Sequence, residues 1–371
     1  MSQFDFIVIG AGIAGASVAA ELSATAKVAL LEMEDRPGYH TTGRSAAAYE
    51  PNYGPPPFVA LTRASGSFFF NTPKGFCDAP LFTKRGSLVL VPKSAAAARH
   101  EYLTDMHGVQ QIGPHEIQKL YPIIRHDYAA HGFYSSDTGD LDVHGLHQGF
   151  LRQFRQQGGK LFVSAPVKAI WRIAHTWQVD APQGTITAPV VVNAAGAWGD
   201  RVAKLAGAIP IGLQAKRRSV GVVPMADYPD VMNWPFVVDV NETWYAKPQS
   251  GKLLVSPADE TPVEPHDAYA DDLALAEGIE RFTQATTVEV NRLEHSWGGL
   301  RSFTPDGSPA VGYDKAVEGF FWLVGQGGNG IMTAPAMARV AAALATHAPV
   351  PDDILAAGLR VAEISPARFG K

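Results

Sequence analysis

A single cysteine, Cys77, stands among 371 residues. That excludes an internal disulfide, and with no second cysteine in a CxxC spacing the thiol reads as packed or surface rather than catalytic. Long basic runs are missing too. The net charge is −5, which argues against nucleic acid as the main partner. No apolar run reaches the ~20 residues a membrane span needs; the uncharged stretch from Phe6 to Ala20 falls short and is rich in glycine. No basic segment precedes it, so no secretory signal or membrane span is expected, and a soluble, cytoplasmic protein is. Repeats, low-complexity tracts and an evident metal site are also lacking. What is present, 46% hydrophobic and 18% charged residues, suits a packed globular chain. Its length exceeds one ordinary core, so two domains are expected, with interleaving allowed.

The first motif is near the N-terminus. FDFIVIG is a short apolar, β-branched run of the kind that forms a strand buried on both faces. GAGIAG follows at once, then the helical stretch ASVAAELSA. Gly10, Gly12 and Gly15 satisfy G-x-G-x-x-G. Gly10 makes the tight turn, Gly12 lets the backbone approach a pyrophosphate, and Gly15 lets helix and strand pack closely. A second strand, KVALLE, ends in Glu32, placed where the acid that binds a ribose hydroxyl belongs. An acid there argues against a 2′-phosphate and leaves NAD and FAD as candidates.

GQGGNG at 325–330 meets the same pattern, after the strand-like FFWLV and before the helical IMTAPAMARVAAALATH. The next segment, APVPDDIL, offers no second strand, so this is not another βαβ unit. It reads instead as a second helix N-terminus against a flat ligand, able to stabilise negative charge on a reduced ring. Two glycine turns far apart in sequence suit a long ligand such as FAD. VVVNAAGAWGD, residues 190–200, adds another buried strand running into small residues, where Asn193, Ala194, Ala195 and Gly196 let a cofactor approach the backbone.

These residues resemble the D-amino acid oxidase/DadA-type flavoprotein family, and within it the bacterial D-arginine dehydrogenases. The resemblance runs nearly end to end. It is carried by VIGAGIAGAS, LLEMEDRPGYHTTGRSAA, SSDTGDLDVHGLHQGFLR, VVNAAGAWGD, GLQAKRRS, WYAKP, HSWGGLRSFTPDGSPAVGY and GQGGNGI. It implies an α/β fold in which a Rossmann-like FAD-binding domain is interleaved with a mainly antiparallel-sheet substrate domain. The FAD-binding domain would take 1–50, 141–205 and 295–371, and the substrate domain 51–140 and 206–294. SVGVVPM, PFVVDV, TWYAKP and KLLVSP read as successive strands of the latter. The implied cofactor is noncovalent FAD. Around the first glycine turn it would be held by Gly10, Gly12, Ile13, Ala14, Gly15 and Glu32. Arg44, Ser45, Ala46 and Val167 would follow, then Ala195 and Gly196, and finally Gly327, Gly328, Asn329, Gly330 and Ile331.

An α-amino acid needs its carboxylate clamped so that the Cα–H faces flavin N5, and arginine's planar fork does this bidentately. Arg218, at the start of a strand in KRRSVGVV, and Arg301, in GGLRSF, match the family's carboxylate-binding positions, and Arg217 points to the opposite strand face. Tyr53 and Tyr245 match its site tyrosines, which donate to the carboxylate or cover the substrate. Among the 12 histidines none is singled out as a base; His40 fits a stabiliser of the cofactor loop. The reaction implied is oxidative deamination of a D-amino acid to an imino acid, which water converts to a 2-keto acid and ammonia. The electron acceptor is unidentified, and a dehydrogenase is expected over an oxidase.

The chain departs from the D-arginine pattern. Where that pattern has Glu, His and Gln, the matching residues are Ser87, Ala48 and Met332; the aligned wall residues are Phe236 and Val238, with Gly299 beside the arginine clamp. The pocket is expected to have turned apolar and to favour neutral or hydrophobic side chains over D-arginine. Glu50 is a new acid on the loop, read either as a cation binder or as facing solvent. Rival readings are a flavin dehydrogenase or oxidase of 2-hydroxy acids or N-alkyl amino acids, and a non-catalytic flavin-binding protein.

Overall fold

The computed structural model describes residues 2–96 and 106–369. Near-continuous apolar runs build its first sheet. Nearly every residue of Phe6–Ile9, Val28–Leu31, Val190–Asn193 and Phe320–Val324 is buried, as strands covered on both faces must be. They lie in a six-stranded sheet, in the order Lys160–Phe162, Val28–Leu31, Phe6–Ile9, Val190–Asn193, Phe320–Val324, Ala310–Tyr313. All pairs are parallel except the last, an antiparallel edge.

Strand alternation sends neighbouring side chains into two separate cores. Val8, Leu30, Val192 and Leu323 pack under the helices Ile13–Leu22, Pro56–Phe70, Val143–Gln156 and Gly330–Ala345. Ile7, Leu31, Val191 and Trp322 pack on the other face. There they meet a four-stranded sheet, in the order Ser2–Gln3, Gly184–Ala188, Thr176–Ala181, Ala169–Ile173, and the short helix Gly199–Leu205. Pro335, inside the long last helix, removes one backbone donor and crowds the preceding turn. The amide of Ala336 donates instead to Ser65 Oγ at 3.1 Å, which ties this helix to Pro56–Phe70.

The second large sheet has nine strands. Its path runs Thr261–Val263, Gln214–Pro224, Lys252–Ser256, Tyr245–Gln249, Phe236–Asp239, Ser87–Pro92, Ala129–Ser135, Val109–Ile112, and His295–Phe303 pairs with Gln214–Pro224. Every pair is antiparallel except Phe236–Asp239 against Ser87–Pro92, so the mainly antiparallel sheet expected from the sequence is present. The His295–Phe303 strand, expected from the sequence in the FAD-binding segment 295–371, is registered against residues 214–222 of this sheet. One face of the sheet carries Leu88, Leu90, Val237, Ala246, Val223 and Val255 into a third core, closed by Phe282 of the helix Asp272–Ala285. That helix is capped by Asp271, whose side chain accepts from the amide of Ala274 at 2.9 Å. The opposite face is free to line a cavity. A small three-stranded sheet, Ala48–Tyr49, Gly139–Leu141 and Phe82–Lys84, holds the crossing segments.

Among the described residues no helix is long and apolar enough to cross a membrane.

The tightest approach in the parallel sheet is at Gly15. A Cβ there would lie 1.7 Å from the carbonyl oxygen of Gly10, which is backbone and cannot swing aside. Gly15→Ala is therefore expected to destabilise the protein by roughly 1–3 kcal/mol or more, read as a lowered thermal midpoint. A midpoint equal to that of the wild type would show that the turn relaxes.

Candidate active site

One cavity of about 950 Å³ lies between the two large sheets. Its floor is the carboxyl ends of four adjacent parallel strands. Gly10, Glu32, Ala194, Ala195 and Gly325 all line it, as the open-sheet rule requires. Two helices, Ile13–Leu22 and Gly330–Ala345, begin at this floor, and neither has a side-chain cap. Their first-turn amides and positive dipole ends thus remain open toward the cavity, apart from the amide of Ile13, which donates to Thr42 Oγ1 at 2.9 Å. Gly10 has φ +101°, and a Cβ on it would meet the carbonyl oxygen of Ala194 at 2.6 Å, so the turn there requires glycine.

Glu32 is buried at the end of the second strand. Its carboxylate accepts from the amides of Ala11 at 3.0 Å and Glu34 at 3.1 Å. Burial raises its pKa above the usual carboxylate range, while those two backbone donors oppose the shift. The acid thus staples strand, glycine turn and following loop together as well as facing the cavity.

The segment from Thr41 to Gly54 crosses the cavity and is pinned from the nine-stranded sheet. Arg44 donates to the carbonyl oxygens of Ala268 at 2.7 Å and Gly298 at 3.2 Å and forms an ion pair with Asp267. Trp297 Nε1 donates to the carbonyl of Arg44 at 3.0 Å. Lys247, almost fully buried, donates to the carbonyl of Ala47 at 2.7 Å and pairs with Asp140 at 3.2 Å. Ser45, Ala46 and Ala48 are held at the cavity wall by these anchors.

At the far end, strand alternation places one set of side chains on the cavity face. Cross-strand register pairs Ser87 with Phe236, Val238 with Tyr245, and Arg218 with Gly299. All six line the cavity, as do Arg301, Tyr53 and Met332. Arg217 has the opposite parity and pairs with Asp271 on the other face, as expected. Arg218 lies 5.8 Å over the Tyr245 ring, and Tyr245 packs against Phe236 with ring centroids 5.4 Å apart. Arg218 and Arg301 converge on one oxygen, Glu260 Oε1, the Arg218 contact being 3.2 Å. Lys216 holds the other oxygen at 2.9 Å. Burial works against ionisation of Glu260, but these three cations prevail and hold its carboxyl below its ordinary pKa. Glu260 was missed at the sequence level. It lies in a turn, SPADET, and nothing in the turn's spacing announces the arginines it meets across strands.

The remaining cofactor-side residues Gly12, Ile13, Ala14, Val167, Gly196, Gly327, Gly328, Gly330 and Ile331 also line the cavity. Two do not. Gly15 faces the carbonyl of Gly10, and its role is packing. Asn329 is buried, and its side chain lies against Gly54, supporting the turn that carries Tyr53. Thr42, not singled out from the sequence, lines the wall and orders the first glycine turn. Among the described histidines only His40 lines the cavity; it pairs with Glu34 at 2.8 Å and packs on Trp198.

The substrate-end wall corrects one expectation. It is not apolar throughout, because Glu50 lies in it rather than in solvent. Ser87 Oγ and Glu50 Oε2 are hydrogen-bonded at 3.2 Å, and burial pushes the Glu50 carboxyl up to about 8.

The chain belongs to the FAD dependent oxidoreductase family, whose model matches residues 5–344. It is 24% identical over 364 residues to a glycine oxidase of Bacillus licheniformis, the match covering 94% of each chain. It is 25% identical to the mitochondrial dimethylglycine dehydrogenase of Rattus norvegicus over 72% of its own length but only 33% of that protein's. It thus spans about a third of that longer relative. In three dimensions it is similar to the crystal structure of glycine oxidase from Geobacillus kaustophilus, with a TM-score of 0.85, 21% identity and 99% coverage of both chains.

The protein is therefore an enzyme of this family with FAD as cofactor. The cavity residues fit that group. Two uncapped helix starts suit the pyrophosphate and the reduced ring, and Glu32 suits a ribose hydroxyl.

Glu50 gives a stability signature. Its folded pKa is raised from 4.5 to about 8, so the unfolded chain loses this proton first as pH climbs. Its contribution to stability falls from about pH 4.5 to about pH 8 and is level beyond. In Glu50→Gln the thermal midpoint, relative to wild type, is expected to improve steadily across that window. A pH-independent difference would show that the carboxyl is solvated.

Proposed function

We propose that this member of the family oxidises the Cα–N bond of an α-amino acid with a free carboxylate, in the D configuration. The product would be an imino acid that water converts to a 2-keto acid and ammonia. The observation that carries this reading is the meeting of Arg218 and Arg301, both lining the cavity, on a single carboxylate oxygen, with Arg301 set against Gly328 of the second glycine turn. Two guanidinium groups that already share one carboxylate oxygen have the placement needed to clamp a substrate carboxylate. FAD, when bound, supplies the two-electron oxidant that takes the hydride from the substrate's α-carbon.

The chain's own residues bind and orient. Arg218 and Arg301 fix the carboxylate, which leaves rotation about one axis. Tyr245, packed on Phe236 beneath Arg218, closes one side of the substrate. Tyr53, 39% exposed on its pinned loop, covers the mouth. Among the described residues no histidine other than His40 lines the cavity, so the amine is expected to bind neutral or to release its proton to water. Ala48, Val238 and Met332 favour an uncharged side-chain stem, and the five donors of a guanidinium would find few acceptors, so D-arginine is not the expected substrate.

A second reading, oxidation of an N-alkyl amino acid, is supported by the likeness to dimethylglycine dehydrogenase. The same arginine clamp serves it. A 2-hydroxy acid fits the clamp equally, and a non-catalytic flavin protein would leave the clamp without a use.

Anaerobic mixing separates these readings. D-Amino acids with uncharged side chains are expected to bleach the flavin, and L-amino acids, 2-hydroxy acids and D-arginine to do so far more slowly. Fast bleaching by N-methylglycine would select the second reading, and failure of every substrate would leave a binding protein. Arg301→Lys keeps the charge but loses the fork. It is expected to raise KM on the order of tenfold to hundredfold, the range for one charge-assisted hydrogen-bond pair, with FAD content retained. Tyr53→Phe should weaken substrate binding at unchanged FAD content; loss of FAD would reassign Tyr53 to the cofactor.

A further inference from the structure

Much of the cavity wall on the nine-stranded sheet and its neighbours is hydrocarbon, formed by Ala48, Val89, Phe133, Phe236, Val238 and Met332. Set into it are three polar side chains. Ser87 and Ser135 are directly paired across adjacent antiparallel strands and are 7% and 6% exposed. Glu50 reaches them from the crossing loop and meets Ser87 at 3.2 Å. Two atoms of this group have no partner among the described residues: Glu50 Oε1 and Ser135 Oγ, both buried. A buried polar atom without a partner costs roughly 1–3 kcal/mol, so two in one corner of a ligand cavity point to a ligand that satisfies them.

We propose that Glu50, Ser87 and Ser135 form the side-chain subsite, and that it takes a neutral polar group, a hydroxyl or a carboxamide, at the end of the substrate's side chain. This deepens the functional reading above and rests on it. The chemistry of the three groups sets the class. Ser87 donates to Oε2, so in the protonated acid Oε1 carries the hydroxyl hydrogen and donates one hydrogen bond, while the Ser135 hydroxyl donates or accepts one. A hydroxyl or a carboxamide offers that complement. Burial keeps the Glu50 carboxyl protonated at pH 7, its pKa lying at about 8, and no cation among the described residues contributes to that shift. The group facing the side chain is thus a neutral acid, which an amide can imitate. A carboxylate awaiting a cation could not be replaced in that way.

The test uses the FAD-loaded enzyme and substrate pairs supplied as racemates, so that its outcome does not depend on the proposed D configuration. The isosteric pairs are threonine against valine and homoserine against norvaline, with lysine against norleucine, which is one heavy atom shorter, as the charge control. The wild type is expected to favour the hydroxyl member by about tenfold or more in kcat/KM, because a site built to hydrogen-bond a substrate hydroxyl rejects the analogue lacking it. Glu50→Leu and Ser135→Ala should each collapse that ratio, and Glu50→Gln should keep most of it. Ser135→Ala removes a single oxygen and guards against misfolding of the Glu50 variants, while flavin absorbance reports FAD loading throughout. A ratio near one in the wild type, or one that Ser135→Ala and Glu50→Leu leave alone, overturns the proposal. So does a preference for lysine over norleucine that Glu50→Gln abolishes, since that marks a cation site. Valine and norvaline turnover checks the functional reading separately: if they bleach the flavin, that reading stands whatever the ratios; if no amino acid does, the reading falls and this inference with it.

Discussion

Two-residue alternation along a strand is the constraint on which this molecule's layout depends. Successive side chains of the nine-stranded sheet point to opposite faces, so one set of residues makes a core and the set between them makes a ligand wall. Leu88, Val237 and Ala246 go under the helix Asp272–Ala285, while Ser87, Phe236, Val238 and Tyr245 go to the cavity. Arg217 and Arg218 show the same rule between neighbours: one meets Asp271 on the core side, the other meets Tyr245 and Glu260 at the cavity. A one-residue slip in register would exchange the two sets and put the arginine of the clamp on the wrong face.

The parallel sheet supplies the complementary half. Its strands end together at one edge, and the glycines there let two helices start against the ligand without a side chain in the way. The segment around residues 41–54 fastens the two halves to each other. It leaves the parallel sheet, crosses the cavity, and is fastened to the other sheet through Arg44, Trp297 and Lys247. Residues along it, from Thr41 to Tyr53, line the cavity; in the proposed reading its start meets the cofactor and Ala48, Glu50 and Tyr53 meet the substrate.

Much of the fold was legible because its signals are local. The strand–turn–helix at Gly10, the acid at Glu32 and the second glycine turn at 325–330 each depend on contiguous residues whose conformational demands are short-range. The arginines were legible through strand context and family resemblance. Glu260 and Ser135 were not, since each acquires its role from a partner distant in sequence: Arg301 for the first and Ser87 for the second. Glu50 was legible as an acid, but its surroundings were not.

The sequence by itself determined the dinucleotide turn, the parallel and antiparallel sheets and the cofactor class, because backbone geometry at glycine and the period of apolar residues are written into adjacent positions. Only the tertiary structure decided that Arg218 and Arg301 share one carboxylate oxygen, that Asn329 supports the Gly54 turn rather than lining the cavity, and that Glu50 lies beside Ser87 where burial raises its pKa. Charge state and polar satisfaction are set by what surrounds a group, and those surroundings come from strands and loops that the chain brings together only on folding.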